Sequence, residues 1–476
     1  MPCTMRTLAT CTPIYGNATK YTVVRYGPNR IVIDSEVGMQ AIYGHGANVH
    51  KSNGYKRVSF VPNVHSTLST LDDTKHKFFR RLMGQGLSDT NIRRLDDKMR
   101  SIASLFARSV GDEKDRFNAT LEPAGDGWSV PKNMSHWCDY FTFDVMSELV
   151  FSTSYNLLTS SENHWIVDGV LGQMQRFGFL LQIPQLETFK MNHILFPEAR
   201  RRAMRFTMKA REIMQARLAR QKEGLTDVLG NMIAAKDPET GEGLPTMQLA
   251  VDSNLLIIAG SDTSSTGMAA LFFYLSRNPT AYARLTNEIR SAFPNPNDVA
   301  QGPTINSCTY LRACIYEAIR LSPAVSGALW REVLAGGLNI PELGMHIPAG
   351  CEVGTGIWSL NHNPRYFPDP FKFLPERWIT EESGEETVRI AKGALASFSV
   401  GPRNCVGKGL AITEISLAVA AVVSRYEFRR PVEGVPVASV GEGEGAFRGQ
   451  FHTSWAFTSL KDGPYLQFRE YVCGNA

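Results

Sequence analysis

Apolar positions recur along this chain with two different periods, and the change of period divides it. Residues 21–26 (YTVVRY) and 30–34 (RIVID) are short runs rich in β-branched and aromatic side chains, split by Gly27-Pro28-Asn29. Such runs around a turn signal predict a pair of strands. From His76 onward the apolar residues return every three or four positions. This predicts helices over 75–83, 91–110, 136–151, 197–222, 246–277, 280–293 and 309–321. Polar stretches bearing Gly and Pro at 123–131 and 237–245 connect them. After Pro323 the texture changes again. Residues 332–355 alternate short apolar runs with Gly and Pro, 361–378 form a meander rich in Pro, Asp and aromatics, 409–426 read as a last apolar helix, and 447–468 read as a hairpin. The pattern predicts a mainly α fold with a small β lobe made from both ends of the chain.

Composition narrows the class. At 476 residues the chain is long for one ordinary core, but no linker divides it, so 21–476 are expected to form one domain. The content, 43% hydrophobic and 20% charged, is that of a globular protein. A net charge of only +4 and the lack of long basic runs argue against nucleic acid as a partner. Eight cysteines are scattered without framework spacing, which points to a reducing, intracellular compartment. No run reaches the roughly 18 apolar residues of a membrane span; the best, 410–423, is short and contains Glu414. Gly441-Glu442-Gly443-Glu444-Gly445 carries two acids that would repel phosphate, so the chain has no nicotinamide or flavin motif.

One window carries more chemistry than any other. Phe398-Ser-Val-Gly401-Pro-Arg403-Asn-Cys405-Val-Gly407 places one cysteine on a glycine-flanked loop just before an apolar helix. The positive end of a helix dipole favours an ionised thiol. Gly401 and Gly407 let the backbone bend tightly and approach a flat ligand. Phe398 can cover the sulfur, and Arg403 suits a carboxylate. A shielded thiolate is one of the ways proteins hold haem iron; the plainer alternative is a cysteine packed as a small hydrophobe. Within 246–277, Gly260-Ser261-Asp262-Thr263-Ser264 is a poor choice for a buried helix interior. It predicts a distorted turn beside a ligand, with Ala259 and Thr263 on one face. His76 and Arg80 share a helix face, as do Glu317 and Arg320. Taken alone, the latter is an ordinary surface pair worth under about 1 kcal/mol.

The string F-x-x-G-x-R-x-C-x-G resembles the haem-binding loop of the cytochrome P-450 superfamily at every defined position, and the resemblance extends from Tyr21 to Phe468. It implies the fold of that family, with a long central helix over haem. It makes Cys405 the axial iron ligand, and Asp262 and Thr263 the acid–alcohol pair that supports proton delivery. Ala259 and Gly260 would leave room for oxygen and substrate. Glu317, Arg320 and Arg377 (in Pro375-Glu376-Arg377) match the cluster that braces the thiolate loop. His76, Arg80, Arg331 and Arg403 would hold the haem propionates.

In detail, 24–31 (VRYGPNRI), Lys51-Ser52-Asn53-Gly54-Tyr55 and Phe143-Asp144-Val145 are similar to the branch common in filamentous fungi, whose members tailor secondary metabolites or hydroxylate benzoate-like acids. The resemblance implies a monooxygenase that inserts one atom of O2 into a mostly apolar small molecule, by hydroxylation or epoxidation, with electrons from NADPH through a separate flavoprotein reductase. Phe177, Phe179, Leu180, Leu181, Val325 and Leu329 would supply apolar pocket surface. Relatives are anchored to the endoplasmic reticulum membrane, on the cytoplasmic side. Residues 1–20 carry no such anchor, so a soluble protein, peripheral membrane contact and a truncated N-terminus all stay open. Two rivals also stay open: a reductase-independent haem-thiolate isomerase or dehydratase, and a non-catalytic haem-binding sensor. Isomerases of that type tend to lose the acid–alcohol pair, which is intact here.

Overall fold

The computed structural model describes residues 22–472, apart from 60, 62, 119–120, 124–125, 184–191, 221–222, 225, 433–439 and 445–446. The segment 1–20 therefore lies outside the described residues. The architecture is built around one helix, Thr246–Arg277. It packs against helices Met134–Phe151, Thr309–Leu321 and Lys408–Arg425. Its residues Met268–Leu275 are all buried, which explains why its sequence is apolar around most of its circumference. By length and composition it could cross a membrane, yet 83% of its most apolar window lies inside the protein. Core burial accounts for that composition.

The expected helices form, most of them within a residue or two of the predicted bounds. Residues 91–110 divide into Asp89–Arg93 and Asp96–Gly111. Asp72 opens helix Asp73–Gly86 by accepting from the Lys75 amide at 3.0 Å, and Asn133 opens Met134–Phe151 by accepting from Ser135. Both are N-caps that satisfy otherwise orphaned amides. The distorted turn expected near Gly260 is not seen: Thr246–Arg277 is continuous. Its Ser261, Thr263 and Thr266 hydroxyls bond back to carbonyls four residues earlier, which satisfies them without breaking the helix.

The β structure differs from a single lobe made of the two chain ends. A five-stranded sheet has the order β1 (Val23–Gly27), β2 (Arg30–Ile33), β8 (Glu352–Gly354), β5 (Arg331–Val333), β3 (Val49–Lys51). The N-terminal strands thus pair with the 331–354 region, through parallel β2–β8 contacts such as Ile31 with Val353. Ile33, Ile42, Val333, Val353 and Leu360 form the separate apolar cluster beneath this sheet. The C-terminal strand β12 (Tyr465–Glu470) instead joins β9 (Tyr426–Arg429) and β4 (Lys132–Asn133). The hairpin β10 (Thr453–Trp455) and β11 (Ser459–Lys461) stands apart. Each end lacked a partner strand nearby in sequence, and alternation alone does not say which distant strand supplies one.

Candidate functional site

Cys405 sits on a loop fixed by its own backbone. Its amide donates to the Phe398 carbonyl at 2.9 Å, and Ser399 and Gly401 adopt φ of 55° and 71°. Gly401 is required by packing: a Cβ there would lie 1.9 Å from the Tyr43 carbonyl oxygen. Its positive φ matches the tight bend expected of it, while its smallness serves the approach to Tyr43. Gly407 fits the expected approach of a flat ligand, since a Cβ on it would meet nothing within 4 Å. Phe398 is half-buried beside the loop and carries the Lys408 ammonium 5.3 Å from its ring centroid.

The Cys405 side chain is exposed, yet desolvation by the protein around it pushes its thiol above the ordinary range. The Gly407 amide, the Arg80 charge, and the charge and amide of Lys408 pull the other way. The pull expected from the helix start is therefore present but does not prevail. A cation at the sulfur is what would hold the thiolate form.

Five basic side chains gather near this loop. Arg80 donates to the Asn404 carbonyl and Oδ1, both at 2.6 Å. Arg403 donates to the Thr70 carbonyl at 3.0 Å and to Asp73 at 2.7 Å. Arg331 donates to the Leu329 and Trp330 carbonyls and lies 4.9 Å from the Tyr43 ring centroid. His76 is buried, and its pKa falls to about 3 through desolvation and then the charges of Arg403, Lys51, Arg80 and Arg331. It is a neutral hydrogen-bonding group rather than the cation the sequence suggested. Lys51 completes the group. It is buried, stands 4.1 Å from the Tyr55 ring centroid, and is pushed well below its ordinary pKa by desolvation, Arg331 and Arg403.

Sequence reasoning missed Lys51 and Tyr55 as site residues. The signal was present, because they begin and end the Lys51-to-Tyr55 string that carries the fungal resemblance. Among the described residues, Asp73 is the only acid that ion-pairs with any of the five bases. Three guanidinium charges with one acidic partner, beside a lysine and a neutral imidazole that can donate, suit a dianionic ligand.

The long helix presents a second feature. Ala259 is exposed and Thr263 half-buried, while the helix is otherwise largely buried around them. The pair thus faces open space, and the Thr263 hydroxyl donates to the Ala259 carbonyl at 2.6 Å. Gly260 corrects the sequence reading. A Cβ on it would lie 2.5 Å from Met146 Sδ, so its smallness serves the packing of Met134–Phe151 rather than an oxygen pocket. Asp262 is buried and points elsewhere: it accepts from Thr458 Oγ1 and lies 3.8 Å from Lys461 Nζ. Burial raises its pKa, partly offset by Lys461.

Glu317, Arg320 and Arg377 do come together, in the core rather than on the surface. The Glu317 carboxylate accepts from Arg320 twice at 2.9 Å, from Arg377 at 3.0 Å, from Trp378 Nε1 at 2.9 Å and from the Leu374 amide at 3.0 Å. Burial pushes its pKa up, but Arg320 and Arg377 outweigh that and leave it lowered. Arg320 also donates to the Asn361 carbonyl at 2.7 Å. Asn361 in turn accepts from the Ala396 amide and donates to Ser397, two residues that lead directly into the Cys405 loop.

Half of the six apolar substrate candidates are core. Phe177, Leu180 and Leu181 are buried, and Phe179 stacks on Phe196 at 4.1 Å. Val325 and Leu329 are half-buried. A wide charged groove lined by Asp112, Glu113, Lys114, Arg116 and Thr159 shares no residue with the site. Among the described residues no cluster of His, Cys, Asp and Glu could hold a bare metal ion. An iron porphyrin does fit the residues present: an exposed sulfur on a fixed loop, an open glycine face at Gly407 and a basic cradle for two carboxylates.

The family model for cytochrome P-450 matches residues 21–443. Cytochrome P-450 monooxygenase apf7 of Gibberella fujikuroi is 54% identical, over 94% of this chain and 85% of its own length. Cytochrome P-450 monooxygenase AKT7 of Alternaria alternata is 38% identical over 94% and 85%. Cytochrome P-450 monooxygenase atnE of Emericella nidulans is 36% identical over 94% and 84%.

Proposed function

From the premise that this chain belongs to the cytochrome P-450 family and is a monooxygenase of it, we propose that it inserts one oxygen atom from dioxygen into a mostly apolar small molecule, tailoring a fungal secondary metabolite. The observation that carries this reading is the convergence of Lys51, His76, Arg80, Arg331 and Arg403 near the Cys405 loop with, among the described residues, a single acidic ion-pair partner. Bound through the Cys405 thiolate, iron porphyrin supplies the redox and oxygen-transfer chemistry. Electrons come from a separate NADPH-dependent flavoprotein reductase.

The chain's residues do the rest. Lys51, Arg80, Arg331 and Arg403 neutralise the two carboxylates and set the porphyrin's orientation, and neutral His76 adds a hydrogen bond. Ala259 keeps the distal space open. Thr263 holds a proton at Oγ1 on the open face, with its hydroxyl direction fixed by the Ala259 carbonyl. Asp262, one residue earlier and held toward Thr458 and Lys461, is the acid that replenishes it when its carboxyl turns to the open face. Glu317, Arg320 and Arg377 brace the loop through Asn361. Exposed Ile194, Leu195, Met204 and Met208, beside Arg200 and Arg201, support peripheral contact with an anionic membrane. Co-sedimentation with phosphatidylserine vesicles tests that contact, and no binding at low salt would remove it.

Haem-loaded protein, reduced and exposed to carbon monoxide, should give a thiolate-type band, and Cys405→Ala should lose it. A thiolate-type band in the variant would refute the ligand assignment. With reductase, NADPH, heavy-isotope dioxygen and an apolar fungal extract, one heavy oxygen atom should enter a product. Product formation without NADPH would favour the isomerase reading instead.

A further inference from the structure

Behind Asp262 lies a buried charge cluster that the family resemblance did not assign. Lys461 of β11 reaches back from the C-terminal hairpin and donates to Asp139 Oδ1 at 2.8 Å, with Asp262 Oδ1 at 3.8 Å. Asp139 belongs to helix Met134–Phe151 and also accepts from Ser265 Oγ on the long helix. The Lys461 and Asp262 side chains are each 2% exposed, and that of Asp139 is 10% exposed. The neighbouring titratable groups are Cys138, whose thiol burial and then Asp139 push well upward, and Tyr140, raised above its ordinary range by burial and then Asp139. Both are neutral near pH 7.

The cluster thus sets two carboxyls against one ammonium. If both carboxyls were ionised, one negative charge would remain without a counterion in a place water barely reaches. Isolated buried charge of that kind is costly enough that a proton is retained instead. Of the two acids Asp262 is the one that keeps it: burial raises its pKa, Lys461 offsets part of that, and the facing Asp139 charge raises it again.

Beside the cluster is a small cavity whose polar lining is Asp139, Ser261 and Asp262, with Phe143 and Val170 among its apolar walls. It offers about 10 Å³ to the centre of a water molecule, near the ~10–15 Å³ one water needs. Three polar groups meet the requirement of two to four partners for a buried water.

We propose that Asp139, Lys461 and Asp262 form a relay that stores one exchangeable proton behind Thr263 and refills it through a water in this cavity. The inference rests on the proton role given to Asp262 and Thr263 above. In the relay a proton leaves the Asp262 carboxyl for the Thr263 side. A proton from bulk water then enters through the cavity water and Asp139, so the three groups hold the same number of protons before and after each cycle. Lys461 is a positioning residue: its ammonium keeps its own proton and holds the two carboxyls close enough to share theirs.

The experiment uses haem-loaded protein labelled with carbon-13 in the aspartate carboxyls, compared by infrared difference spectroscopy in H2O and D2O. The wild type should show a protonated aspartate carbonyl band that shifts in D2O. Asp139→Asn and Asp262→Asn should each abolish it, because either leaves one carboxylate paired with one ammonium. Lys461→Arg should keep it, which guards against reading misfolding as loss of the relay. The label excludes the glutamate Glu414, also protonated near neutral pH because burial raises its pKa to about 8; the band is assigned from wild-type-minus-variant differences, because buried Asp34, Asp144 and Asp252, whose pKa values burial also raises, are common to every sample.

The second readout is NADPH oxidation with a fungal reductase and no added substrate. Asp139→Asn should slow it by about a hundredfold, at the lower end of what a lost general acid costs, with a larger solvent isotope effect than wild type. If Asp262→Asn changes the isotope effect and Asp139→Asn changes neither band nor rate, the relay is wrong and the Asp262 assignment stands. If neither substitution has any effect, the Asp262 assignment fails with it.

Discussion

Replacing Glu317 by Gln tests whether the cysteine loop is held by a buried ion cluster or only by apolar packing. The carboxylate accepts five hydrogen bonds and is the only acid, among the described residues, that ion-pairs with Arg320 or Arg377. Glutamine removes the charge and turns one acceptor into a donor that faces donors. Arg320 keeps its bonds to the Asn361 and Pro370 carbonyls and Arg377 its bond to Pro368, but two buried guanidinium charges lose their counterion. Breaking a buried pair in this way costs about 3–5 kcal/mol, a large share of the roughly 5–15 kcal/mol that holds a folded domain together.

The assay is urea unfolding of the haem-loaded protein followed by tryptophan fluorescence, with the carbon monoxide spectrum read on the same samples. The variant should unfold at lower urea and lose its thiolate-type band before the fold is lost, because the disturbance passes through Asn361 to Ala396 and Ser397. The sign of the pH effect follows from the lowered pKa. Ionised Glu317 is favoured in the folded state, so its contribution is fully present above the ordinary glutamate range. It is lost as pH falls through the lowered folded value. The variant should therefore lose the part of the acid unfolding limb that Glu317 provides. An unchanged urea midpoint together with an unchanged acid limb would refute the reasoning.

Gly401→Ala and Gly407→Ala should separate. The first drives a Cβ into the Tyr43 carbonyl at a positive φ and should reduce folded yield. The second meets open space and should fold normally but hold haem less tightly, as measured by haemin titration; normal folding of the first, or unchanged affinity in the second, would count against this reading. Lys51→Met removes a lysine whose pKa burial lowers, so protonation of Lys51 opposes folding and apoprotein stability rises with pH between the folded value and the ordinary lysine value of about 10.4. The variant should lose that rise and release haem to apomyoglobin about tenfold faster, the loss of one hydrogen bond to a charged group; an unchanged release rate would take Lys51 out of the cradle. Thr263→Ala should keep the carbon monoxide spectrum and divert NADPH electrons to hydrogen peroxide, and peroxide yield equal to wild type would remove its proton role.

Much of this was legible before any coordinates. The helices were readable because a 3.6-residue period survives on each buried face, and the Cys405 loop because its chemistry is written in ten consecutive positions. What escaped were facts set by distant partners. Gly260 and Gly401 looked like glycines spared for a ligand, yet Met146 and the Tyr43 carbonyl are what require them to be small. His76 looked like a cation until Lys51, Arg80, Arg331 and Arg403 surrounded it and removed its charge. Glu317 and Arg320 looked like a surface pair because spacing reports a shared helix face, not whether that face is buried. Lys461 and Asp139, 322 positions apart, left no local trace at all.

The closure of the C-terminal strands on the region around 132–139 has a consequence for biosynthesis. Strand β12 pairs with β4, and Lys461 meets Asp139, so the segment around 132–139 lacks these partners until synthesis has run at least 322 residues further. Synthesis runs from the other end, and early segments ordinarily settle first. A ribosome that stops within the final strands would release a chain with an unpaired acid in its interior and an open sheet edge, a product for the proteases rather than a partly active enzyme.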